Sequence, residues 1–202
     1  MSDRKKGLLT REYAKLLKKA HKKKNFGTRS SIPPMLERLI EQYQPTSILD
    51  FGCGKGLLVK SLKSKYPNTT VIGYDPAFNS SIPESVDMII STDVLEHVEP
   101  DQIIATLHDL RTRARLVQYH LIACHKAVKI LADGRNAHLI IEPPEWWEDI
   151  IREAGYEILE TATERRLSKT PFDNGNFVDV VKHEVIIRPA EADTDAPQSP
   201  RE

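Results

Sequence analysis

Apolar residues recur at helical spacing near the start of the chain, where Leu9, Tyr13, Leu16, Leu17 and Ala20 share one face and lysines take the other. Thr10 stands where it can cap that helix, and Asn25-Phe26-Gly27 closes it. Pro33 and Pro34 then open a second helix, Met35 to about Tyr43, with Met35, Leu36, Leu39 and Ile40 as its stripe. From Ser47 the pattern changes to short apolar runs alternating with helical segments. SILDFG, TVIGYD, VDMIISTD and RLVQYHLIAC read as strands. KGLLVKSLKSKY reads as a helix ended near Pro67, and a second follows Pro100 with Ile103, Ile104, Leu107 and Leu110 on one face. A helix starting at Pro143-Pro144 runs to Ala154, where Gly155 stops it. Segments 157–163 and 177–187, joined through Asp173-Asn174-Gly175, predict an antiparallel hairpin that closes the sheet.

Strands alternating with helices predict an α/β fold with a parallel sheet. A length of 202 residues suits one domain. Its expected parts are a helical cap over 1–44, a core over 45–189 and a disordered tail over 190–202, with residues 1–8 frayed.

Composition narrows the partners. Net charge is zero, which gives the whole molecule no strong pull toward nucleic acid or membrane. The first thirty residues nevertheless carry a net +9, and residues 191–202 a net −3. Cys53 and Cys124 have no metal-ligand or disulfide-framework spacing, so no metal is expected. MSDRKKGLLT lacks a signal-peptide apolar core and no apolar run approaches spanning length, which makes the cytoplasm the expected setting.

The strongest chemical signal is Asp50-Phe51-Gly52-Cys53-Gly54-Lys55-Gly56, placed where a strand turns into a helix. Open α/β sheets bind ligands in that crevice, and Asp75 ends the next strand nineteen residues after Gly56. A nicotinamide dinucleotide is disfavoured because Leu57 occupies the third glycine position of G-x-G-x-x-G, and no triphosphate loop is present. The series Asp50-x-Gly52-x-Gly54-x-Gly56, then GYDP, then STDVLEHVEP, resembles the class I S-adenosylmethionine-dependent methyltransferases over roughly residues 47–156. With LADGRNAHLI and EPPEWW added, the chain is similar to a group of small bacterial and phage methyltransferase-domain proteins.

That resemblance implies a Rossmann-like sheet and S-adenosyl-L-methionine as cofactor. Asp50, Gly52, Cys53, Gly54 and Gly56 would line its methionine and adenosine side, and Asp75 would hold the ribose. Pro76 would begin an adenine loop over 76–81, while Thr92, Asp93 and Val94 would lie under the cofactor. The amino-terminal helix would close over it, with Tyr13 facing inward. One departure is expected. Only about ten residues separate Asp75 from the strand near Val86, too few for the helix and strand that family members place there. A sheet trimmed to about six strands follows, and the usual adenine-contacting acid has no counterpart.

Methyl transfer from a sulfonium chiefly requires alignment, and a base only where the acceptor must lose a proton. His138 is the leading base candidate, with Asp133 either orienting it or capping the Gly134 turn. His97 either faces the acceptor or stabilises the turn that follows it. Arg135 either clamps an anionic acceptor or forms a surface ion pair. Asn136 and Tyr13 complete the acceptor side. Trp146 and Trp147 point about 100° apart on their helix, so Trp147 is assigned to the core and Trp146 to the acceptor wall. Glu96 reads as structural, His120 as a core or sheet-face histidine, and His21 as part of a solvated face.

A polar small-molecule acceptor (a sugar, nucleotide or other metabolite) leads. A nucleic-acid methyltransferase using the basic amino terminus follows, and a cofactor-binding module without transfer activity is third. The oligomeric state is open.

Overall fold

The computed structural model describes residues 9–21, 30–78, 81–169 and 177–190. The expectations for residues 1–8, the helix end at Asn25–Gly27, the turn at Asp173–Gly175 and the tail beyond Ala190 lie outside them. So do residues 79 and 80 of the expected adenine loop.

Helix α1 (Arg11–His21) begins where Thr10 Oγ1 accepts the Tyr13 amide at 3.2 Å, the capping role read from the sequence. Helix α2 (Pro34–Tyr43) starts on its proline pair and ends at Gln44, whose amide donates to the Ile40 carbonyl. Strand β1 (Ser47–Phe51), helix α3 (Leu57–Lys65), strand β2 (Thr70–Tyr74) and strand β3 (Val86–Thr92) follow. Two short 3-10 turns, Leu95–His97 and Pro100–Gln102, lead into helix α4 (Ile103–Arg111) and strand β4 (Ala114–Ala123). Helix α5 (Pro144–Glu153) precedes the long strands β5 (Tyr156–Lys169) and β6 (Phe177–Pro189).

The six strands form one sheet in the order β2-β1-β3-β4-β6-β5, as the short Asp75–Val86 spacing required. β2, β1, β3 and β4 are parallel; β6 runs antiparallel to both β4 and β5. The hairpin is longer than the sequence predicts, because β5 continues through Ser168 opposite Val178 to Lys169. Its residues 159–167 are exposed on both faces and carry no alternating apolar pattern, so only the ladder to β6 reveals them as strand.

The parallel strands are nearly continuous apolar runs because helices cover both faces. On one face Leu36, Leu39 and Ile40 of α2 and Leu58, Val59 and Leu62 of α3 pack on Met88, Ile90, Val117 and Tyr119. On the other, Leu107 of α4 and Trp147, Ile151 and Ala154 of the α5 segment meet Ile122, Val185 and Ile187. Trp147 is fully buried, as expected from its line-up with Ile151. His120 is also buried; Ser91 Oγ lies 2.7 Å from its Nδ1, and burial pushes its pKa down to about 3, which makes it a neutral core histidine.

Candidate active site

The carboxyl ends of β1, β2 and β3 meet at the glycine turn. Gly52 and Cys53 both donate their amides to the Tyr74 carbonyl, at 2.7 and 3.1 Å, which ties the turn to the end of β2. Gly52 has φ +77°, and a Cβ there would stand 2.4 Å from Val94 Cγ1. Only glycine satisfies both the backbone angle and the contact. Gly54 and Gly56 share the left-handed conformation. Asp75 Oδ1 accepts the Ala77 amide at 2.9 Å and Oδ2 the Gly54 amide at 3.2 Å, so its carboxylate joins the turn to the segment beginning at Pro76. Asp50 is 2% exposed. Burial, followed by the neighbouring charge of Asp75, pushes its carboxyl up to about 7. The thiol of Cys53 is pushed up to about 12 by burial and by the same two acids, which leaves it inert.

Past Thr92, at the end of β3, Asp93 takes φ 57° and donates its amide to the Leu121 carbonyl. Its carboxylate pairs with Lys182 of β6. The Leu95–His97 turn then becomes a junction. Glu96 is fully buried; its carbonyl accepts the Leu139 and Ile140 amides, and its Oε1 accepts the Ala123 amide at 3.2 Å. Burial first, and Asp93 second, push the Glu96 carboxyl up to about 8. His97 Nδ1 lies 2.6 Å from the Ala137 carbonyl. Tyr13, fully buried on α1, donates its hydroxyl to the His97 carbonyl at 2.6 Å.

The 124–142 segment carries His138. Its Nδ1 bonds the His125 carbonyl, its ring meets those of His97 and His125 edge-on at 4.9 and 5.6 Å, and its Nε2 is 3.9 Å from Glu96 Oε1. Burial pushes its pKa down to about 4. Asn136 braces the segment: Oδ1 accepts the Ala127 and His138 amides and Nδ2 donates to the Ala127 carbonyl. Helix α1 lies across these strand ends, with Tyr13 and Leu17 packed in one cluster with Ala77, Leu131 and Ala137. Thr10 fastens its start, donating its amide and hydroxyl to the Glu99 carboxylate at 2.8 Å each.

A family of methyltransferase domains matches residues 5–161, over half of the chain. The chain belongs to that family. It is a class I methyltransferase, dependent on S-adenosylmethionine.

Solved structures resemble this methyltransferase in fold. The 1,6-didemethyltoxoflavin-N1-methyltransferase of Burkholderia thailandensis, solved with 1,6-didemethyltoxoflavin and S-adenosylhomocysteine, is 14% identical at a TM-score of 0.56, covering 89% of this chain and 90% of its own. Coclaurine N-methyltransferase, bound to N-methylheliamine and S-adenosylhomocysteine, is 14% identical at 0.54, covering 89% and 79%. TehB from Haemophilus influenzae is 16% identical at 0.52; the match covers 80% of this chain and 63% of TehB. No curated protein matches the methyltransferase.

The remaining candidate residues separate into two groups. His97, His138, Tyr13 and Asn136 gather beneath α1. Asp133 does not orient His138: it accepts the Arg135 backbone amide and pairs with the Arg135 guanidinium at 2.7 Å, which is the turn-capping alternative. Arg135 thus forms a local ion pair and lies 5.5 Å over the Tyr13 ring. Trp146 is half-buried, edge-on to Trp147 and packed against the α5 face of the core. Sequence reasoning missed His125 and Lys182, and it undervalued Glu96. No motif marks the first two, which reach the cluster only through the β4–β6 pairing and the fold of the 124–142 segment.

Proposed function

We propose that this methyltransferase moves a methyl group from S-adenosylmethionine to a polar small molecule (a sugar, nucleotide or other metabolite) by direct displacement. When bound, the cofactor supplies an electrophilic methyl on a sulfonium. The residues at the glycine turn fit it: Asp50 and Asp75 put two carboxylates where a cationic, hydroxyl-bearing ligand offsets their mutual repulsion. In this reading Asp50, Gly52, Cys53, Gly54 and Gly56 line its methionine and adenosine side. Asp75 and Pro76 hold the ribose and adenine end, and Thr92, Asp93 and Val94 support it from below.

The observation that carries the small-molecule reading is α1, packed from Ala77 after β2 to Leu131 and Ala137 after β4. A cap of this kind over the core excludes water and suits an enclosed acceptor better than a polymer. His138 and His97 are its polar groups, His138 accepting a proton where the acceptor must release one. Tyr13 and Asn136 lie on the acceptor side in this reading, with Arg135 stacked on the Tyr13 ring beside them, and Trp146 would reach the acceptor only by leaving its packing on the α5 face. Among the described residues no helix is long and apolar enough to cross a membrane. The two cysteines are free thiols, which suits a reducing cytoplasmic setting.

The test is His138→Ala assayed with a labelled methyl donor in a metabolite extract. Turnover should fall about 100-fold or more, with S-adenosylhomocysteine affinity kept; unchanged turnover would remove His138 from the chemistry. A nucleic-acid acceptor is the second reading, motivated by the +9 amino-terminal stretch. It requires label in RNA or DNA and binding that weakens steeply with salt.

A further inference from the structure

Two histidines and a glutamate converge beneath α1, and each histidine holds a backbone carbonyl through its Nδ1. His97 Nδ1 faces the Ala137 carbonyl and His138 Nδ1 faces the His125 carbonyl. A carbonyl only accepts, so each Nδ1 carries the hydrogen and each Nε2 a lone pair. His138 Nε2 stands 3.9 Å from Glu96 Oε1. Glu96, His97 and His138 each offer one ligand atom, and these atoms lie within 4.8 Å of one another. Glu96 is 0% exposed. Its Oε1 accepts the Ala123 amide, whereas Oε2 has no hydrogen-bond partner. A buried carboxyl oxygen without a partner is costly, and a cation bound there would supply one. Lys182 is engaged with Asp93 instead.

The geometry points to a divalent transition-metal site made by the Glu96 carboxylate, His138 Nε2 and the His97 imidazole. Two imidazoles and one carboxylate, with no thiolate, select zinc or ferrous iron over magnesium or calcium. The Ala137 and His125 carbonyls are the outer partners that fix the tautomer of a metal-bound imidazole. Ligand atoms around tetrahedral zinc stand roughly 3.4 Å apart, so this set must close by about 0.5–1.4 Å, within the reach of small side-chain rotations. Three protein ligands leave a position for water or an acceptor oxygen, and with the metal bound the His138 lone pair is taken up, so the cation and not His138 would ease loss of the acceptor's proton. Only that last step rests on the methyl-transfer reading; the metal site does not.

The test uses the full chain, freed of metal with a chelator and titrated with zinc chloride by calorimetry. S-adenosylhomocysteine binding on the same samples reports the fold. The parent should take up one zinc per chain. Glu96→Gln and His138→Ala should each weaken zinc about 100-fold or more, while His108→Ala, on the exposed face of α4, should bind as the parent does. A parent that binds S-adenosylhomocysteine but not zinc, or parental zinc affinity in both variants, would overturn the proposal. If a variant fails to bind S-adenosylhomocysteine, His97→Gln replaces it and the parent titration still decides. Zinc uptake without methyl transfer to any acceptor would keep the metal site and count only against the acceptor reading.

Discussion

Substituting Gly52 by alanine tests how tightly the glycine turn is built. The backbone sits at φ +77°, and the added Cβ would meet Val94 Cγ1 at 2.4 Å and Cγ2 at 2.6 Å. The left-handed conformation costs an alanine roughly 1–2 kcal/mol, and overpacking adds about 1–3 kcal/mol. A loss near 3 kcal/mol corresponds to roughly 6–12 °C in the unfolding midpoint of a chain this size. Val94→Ala separates the two contributions. In the double variant the clash is relieved and the backbone cost stays, so the two substitutions should couple by about 1–3 kcal/mol. Urea and thermal unfolding of the parent, both single variants and the double variant provide the cycle. Gly52→Ala within about 0.5 kcal/mol of the parent, the range of an ordinary surface change, would show that the turn tolerates a side chain. Complete rescue by Val94→Ala would mean that the backbone angle costs nothing.

Other parts of the structure give separate expectations. Asp87 accepts the Thr46 amide and hydroxyl at 2.8 and 2.6 Å and the Ser47 amide at 3.2 Å, and these bonds, with Arg115, hold its carboxyl down to about 2. Because that value is depressed, its stabilisation should be complete above about pH 4 and vanish as pH falls to about 2; Asp87→Ala should cost about 2–4 kcal/mol at pH 7, and an unchanged urea midpoint would contradict this. Asp50 has the opposite sign: its carboxyl is raised to about 7, so the cofactor-free fold should lose stability as pH rises from 4 to 7. Cofactor affinity should weaken below pH 7, by at most about tenfold per pH unit for one proton. Calorimetry in two buffers of different ionisation enthalpy should then detect proton release near pH 7, and identical heats would refute it. Glu99→Ala removes both bonds to Thr10 at the start of α1. Losing about 1–2 kcal/mol there, the helix should be cut by trypsin at its exposed Lys15, Lys18 and Lys19 roughly 5–30-fold faster, and cleavage at the parental rate would mean that Glu99 does not hold it.

The legible features of the chain are those recorded in local spacing. Tyr13 and Leu17 announced α1, the double prolines opened α2 and α5, and the ten residues between Asp75 and Val86 fixed the missing crossover. The end of β5 was not legible, since Glu164, Arg165 and Arg166 are exposed and pair only with β6. Within the site, the turn from Asp50 to Gly56 has a sequence signature because its backbone angles demand glycine. The His138 environment has none. Its partners are a backbone carbonyl thirteen residues away and a glutamate forty-two residues away, and Lys182 meets Asp93 across eighty-nine. Such contacts belong to the β4–β6 pairing and to the path of the 124–142 segment, not to any spacing along the chain. Asp133 shows the opposite case. Two residues from Arg135, it met the nearest partner instead of the more distant histidine.

In this reading the glycine turn and the Asp75 carboxylate hold S-adenosylmethionine. Titration calorimetry of S-adenosylhomocysteine into the parent, Asp75→Asn and Asp75→Ala decides it. The parent should bind one equivalent. Both variants should keep a cooperative unfolding transition and bind about 10–100-fold more weakly, as expected for losing one or two hydrogen bonds to a charged group. A folded parent that takes up no S-adenosylhomocysteine, or an Asp75→Ala variant that binds it as tightly as the parent, would mean that the cofactor is not held there.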